Sequence, residues 1–166
     1  MALSTRRARR DDDGASQLTA ALQGYADRGV FRGFRVESSS GGRSDYFFTW
    51  LTRTPMRLRY EPSRRELRFV DLLPRVSSYS GLTQDLRRLV LEHQTSAVPE
   101  HRRIDGRRVK LAATVRAGHF SVILRLRGAQ EAYAVQRGVN LVNQLFLLLQ
   151  ANYPEYLIQC FGFSPE

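Results

Sequence analysis

Cysteine is nearly absent from this chain: Cys160 stands alone among 166 residues. A single thiol excludes an intrachain disulfide and a cysteine-based zinc cluster. Lysine is just as scarce, since 25 of the 26 basic residues are arginine and Lys110 is the exception. No apolar run approaches the roughly 18 residues that a membrane span needs. The first residues, MALSTRRARRDDDG, carry arginines with no apolar segment behind them, so neither a cleaved signal peptide nor a twin-arginine export signal is expected. The expected location is the cytoplasm, with no membrane partner. Also missing are a glycine-rich phosphate loop, a dinucleotide fingerprint, a nucleophile elbow and a paired-carboxylate motif. No residue set points to an enzyme, and no cofactor or metal is expected.

What is present is positive charge, a formal +10. Arginine suits phosphate and carboxylate forks, which brings nucleic acid or an acidic protein to mind. A GC-rich genome would also put arginine in place of lysine throughout, and the single lysine favours that origin for the residue type. It leaves the positive balance itself to be explained.

Residues 1–14 read as a mobile tail and 15–166 as a single α+β domain. Asp11, Asp12 and Asp13 would favour the positive end of a helix running from about Ser16 to Asp27, which Gly29 stops. From Phe34 the apolar period changes to two. Phe34 and Val36 open a strand, and Ser38 to Ser44 make a flexible turn. Tyr46 to Thr52 is apolar on both sides, the pattern of a central or an interface strand. Met56, Leu58 and Tyr60 alternate with Arg57 and Arg59, and Leu67, Phe69 and Val70 return after a turn at Glu61 to Arg64. A helix follows with Leu82, Leu86, Leu89 and Val90 in register. The loop from His93 to Gly106 leads into a second hairpin, with Val109, Leu111, Ala113 and Val115 against Val122, Leu124 and Leu126. These elements predict an antiparallel sheet of about five to six strands from two hairpin units, packed by a long C-terminal helix and two shorter ones.

That last helix spans about Tyr133 to Tyr153. Val135, Val139, Leu141, Val142, Leu145, Phe146 and Leu149 share one broad face. Gln136, Arg137, Asn140, Asn143, Gln144 and Gln150 take the other. Leu147 falls in the middle of the polar side with Leu148 at its margin, so a second element or a second chain should cover them. The candidate protein interface is therefore Leu147, Leu148, Asn140, Asn143 and Gln144, together with Tyr46, Phe48 and Trp50 of the two-sided strand.

The outward positions of the hairpins are basic. Alternation sends Arg57, Arg59, Arg68, Arg108, Lys110, Arg116, Arg125 and Arg127 to one face, a candidate surface for nucleic acid through phosphate neutralisation. No aromatics are interleaved with them to stack on bases, and solvent-facing sheets are commonly charged. His93, His101 and His119 sit in loops or turns and read as solvated polarity. Cys160 reads as a small buried hydrophobe.

The hairpin from Met56 to Leu72 ending in Leu-Leu-Pro, the helix from Gly81 to Glu92, and the hairpin-helix unit from Arg107 to Tyr153 together resemble type III secretion chaperones and the similar YbjN-like proteins. The resemblance implies a small, non-enzymatic, dimerising α+β domain that binds extended protein segments or regulates. Such chaperones are typically acidic, and this chain is basic. The expected function is a protein-binding, chaperone-like or regulatory module acting as a homodimer or on another protein, with nucleic-acid binding as the alternative.

Overall fold

The computed structural model describes residues 2–79 and 81–163. Its elements run α1 (Ala2–Asp27), β1 (Arg32–Ser38), β2 (Ser44–Thr49), β3 (Pro55–Glu61), β4 (Glu66–Leu73), α2 (Leu82–Glu92), β5 (Val109–Arg116), β6 (His119–Leu126), α3 (Glu131–Asn152) and α4 (Pro154–Phe161). The strands form one six-stranded antiparallel sheet in the order β1-β2-β3-β4-β6-β5. The α+β class follows directly. Four of the five joints are hairpins. The seam between β4 and β6 is different, because it joins strands separated by α2, a long loop and β5.

Strand periodicity determines the two faces. Tyr46, Phe48, Leu58, Leu67, Phe69, Val122 and Leu124 are buried and point one way, into a core shared with Leu18 and Leu22 of α1, Leu82 and Leu86 of α2, Leu141 and Leu145 of α3, and Tyr156 of α4. Ile123 is also buried, at 3% exposure, yet it stands outside that cluster, on the opposite side of β6. Among the described residues the helices thus pile onto one face and leave the other without an element of secondary structure. Gly138 brings α3 onto the seam: a Cβ there would stand 3.1 Å from Phe69 Cε2 and 3.3 Å from Leu124 Cδ2.

Several expectations need correction. Residues 2–14, read as a tail, are the first half of α1; Met1 lies outside the described residues. The helix starts well before Ser16, and Asp11 to Asp13 lie within it rather than ahead of it. Gly14 sits inside the helix because it must pass close to a neighbour. A Cβ at that position would be 2.6 Å from the Tyr60 hydroxyl and 2.7 Å from Glu131 Oε1, and that hydroxyl donates to the same carboxylate oxygen at 3.1 Å. Gly29 does end α1, with a positive φ of 77° and the Val30 N–H reaching back to the Tyr25 carbonyl at 2.9 Å. A fourth helix was not foreseen: Pro154 ends α3 and begins α4.

Candidate interaction face

Register brings the bare face together row by row. Glu37 lies opposite Asp45, Asp45 opposite Arg59, Arg59 opposite Arg68, Arg68 opposite Ile123 and Ile123 opposite Ala112. The neighbouring row runs Arg35, Phe47, Arg57 and Val70. On the far side lie Glu61, Glu66, Arg125 and Lys110.

The face divides into a paired half and an unpaired half. Arg57 Nη2 donates to Asp45 Oδ2 at 2.8 Å, and Arg59 Nε to Asp45 Oδ1 at 3.0 Å. Arg68 donates from Nε and Nη2 to Glu66 Oε1, at 3.2 and 2.9 Å. Arg35 pairs with Glu37 along β1. Burial alone would push the Asp45 carboxyl up, but the hydrogen bonds and charges of Arg57 and Arg59 outweigh it and hold the group below the usual carboxylate range. Across β5 and β6 the charges have no such partners: among the described residues Lys110, Arg116, Arg125 and Arg127 make no ion pair. Arg108 leaves the face altogether. Its Nε donates to Gln130 Oε1 at 2.8 Å and its guanidinium lies 3.6 Å from the Tyr133 ring centroid, over the start of α3. Of the eight cations expected to form one continuous surface, one is thus withdrawn and three are neutralised in pairs.

The apolar candidates also sort differently. Tyr46 and Phe48 lie fully inside the core, with Phe48 stacked 4.0 Å from Phe31. Trp50 falls just past β2 and packs edge-on against Phe31 at 5.6 Å. None of the three faces outward as an interface residue. The outward aromatic is Phe47, which the two-sided run YFFTW concealed; the Arg35 guanidinium stands 4.2 Å from its ring centroid. Its parity with Arg57 was the available signal. On α3, Leu147 stays 47% exposed, whereas Leu148 packs against the core. Asn140, Asn143 and Gln144 are half-buried. One exposed leucine among polar neighbours is ordinary for a protein surface, so the weight moves from α3 to the sheet.

His93 is not a solvated loop residue. It is 3% exposed at the end of α2, its Nδ1 bonded to the Leu89 carbonyl at 2.8 Å, and burial pushes its pKa down. Cys160 is half-buried in α4, with Arg75 Nη2 donating to its Sγ at 3.4 Å. Among the described residues, no group of three or more His, Cys, Asp or Glu is arranged to hold a metal ion, and no helix is long and apolar enough to cross a membrane. Comparison with protein-family models, curated proteins and solved structures finds no match to the chain. Fold and site together define a two-layer α+β protein with one bare, mixed basic and apolar sheet face.

Proposed function

We propose that this chain is a non-enzymatic, chaperone-like protein-binding module of the cytoplasm, and that it holds an extended acidic segment of a partner against its bare sheet face. The observation that carries this is the face itself: the half-buried Phe47 and Val70 alternate with arginines across it, over the buried Ile123. Apolar positions between cations suit a strand whose own residues alternate apolar and acidic. The net charge of +10 favours such a partner, and the likeness to secretion chaperones and YbjN-like proteins agrees with the capture of extended segments. Selection from a random peptide display library checks it, with Phe47→Glu/Val70→Glu as the counter-selected protein. The expected yield is peptides with alternating acidic and apolar residues, bound at least tenfold more weakly by the variant. Peptides that bind both proteins equally, or no enrichment at all, would refute it.

One observation favours nucleic acid as a second reading: the four cations at the β5–β6 end of the face that make no ion pair among the described residues. In that case a short single-stranded DNA or RNA should bind with an affinity falling steeply as salt rises, and Lys110→Glu/Arg125→Glu should flatten the slope by about two phosphate contacts. A salt-independent interaction would exclude it.

A further inference from the structure

A six-stranded open sheet has two edges, and this chain treats them differently. At the start of the β5 edge the Gln94 side chain stands in for a strand. Its Nε2 donates to the Val109 carbonyl at 2.9 Å and its Oε1 accepts from the Leu111 N–H at 3.3 Å. Helix α2 lies beside that edge. Such covering is how proteins keep an edge from pairing. The β1 edge has no equivalent. Every residue of β1 except the half-buried Phe34 is exposed, and among the described residues its backbone bonds to β2 alone.

The β1 sequence is also self-complementary. Arg35, Val36 and Glu37 are in regular register with β2, and the irregularity at Gly33 lies outside them. In an antiparallel pair with its two-fold axis at Val36, Arg35 of each copy lies opposite Glu37 of the other. The in-strand pair already joining Arg35 to Glu37 then becomes a ring of four alternating charges on the bare face. On the helix-covered face, Val36, 40% exposed here, meets its own counterpart, with the two Phe34 rings as diagonal neighbours.

We infer that β1 is a homodimerisation edge, and that a second copy of this chain occupies it through antiparallel pairing of residues 34–38 about Val36. Opposite charges that meet only in this register supply the specificity, and unpaired backbone groups supply the ladder. Two six-stranded sheets become one of twelve strands, and the two bare faces become continuous. The inference extends the protein-binding proposal by doubling its surface, although pairing itself needs no partner protein.

Sedimentation velocity on the full chain from 1 to 100 µM tests it, with circular dichroism to check folding. Wild type should dimerise. Arg35→Glu and Glu37→Arg should each weaken the dimer at least tenfold, because each single change places like charges opposite one another. The double variant Arg35→Glu/Glu37→Arg should recover the dimer. An equimolar mixture of the two single variants should recover it too, since only the heterodimer then matches charge. Leu147→Glu should leave association unchanged. A wild type that is monomeric at 100 µM, single variants that dimerise as well as wild type, or a dimer lost on Leu147→Glu would each overturn the β1 pairing. A monomer that still selects alternating acidic peptides would overturn the dimer alone. A dimer that selects none would overturn only the binding proposal.

Discussion

Gly138→Leu should destabilise the chain by about 3 kcal/mol, the upper part of the range for overpacking a closed core. Gly138 lies where α3 crosses the seam of β4 and β6, and even a Cβ there would press on Phe69 at 3.1 Å and Leu124 at 3.3 Å. Both neighbours are fully buried, so neither can swing into solvent to make room. Gly138→Ala gains roughly 1 kcal/mol of helix propensity against a smaller clash, and should come out within about 1 kcal/mol of wild type. Urea unfolding of the three proteins checks the ordering. A leucine variant as stable as wild type would mean that α3 does not seat on the seam this closely. The position matters because β4 and β6 are joined by no hairpin, and α3 is the element packed across them.

Asp45→Asn should cost roughly 2 kcal/mol at pH 7, a figure lowered for the partial exposure of its partners. The carboxylate is 11% exposed, while Arg57 and Arg59 are 37% and 22% exposed. Removing its charge leaves two guanidiniums side by side with no counterion between them. The pH dependence has a definite sign. Asp45 is held below the usual carboxylate value in the folded chain, so its stabilisation is fully present above the unfolded value of about 3.9 and is lost as pH falls through the folded value. The gap between wild type and Asp45→Asn should therefore narrow between pH 7 and pH 3, measured by urea midpoints. A gap that is constant with pH would assign the loss to shape rather than charge. The same variant should bind polyanions more tightly than wild type, because it releases the arginines that Asp45 neutralises.

Much of this face could be read from the chain. Arg57, Arg59, Arg68, Lys110, Arg116 and Arg125 stand on the side that alternation assigns them, because a strand's period of two is a local property. Arg108 did not follow, since a long side chain at a strand end can reach across to Tyr133 of the next helix. Phe47 was hidden because four of the five residues in YFFTW are apolar or aromatic, and parity within such a run depends on which neighbour it is paired with. Gly14 closed the stretch read as a mobile tail, yet it is a point of close approach inside α1. That distinction depends on Tyr60 and Glu131, residues far away in sequence.

The sequence by itself determined the kind of each main element, the outward side of the hairpins, the C-terminal stop of α1 at Gly29 and the position of Leu147 on the polar side of α3. These depend on backbone periods and caps that span a few residues. Only the tertiary structure decided that all four helices share one face of the sheet, that β4 lies beside β6, that Asp45 takes up two arginines and that the start of β5 is covered by Gln94 while β1 is open. Those outcomes come from contacts between residues far apart in the chain, where packing and strand register choose among partners that local pattern leaves equivalent.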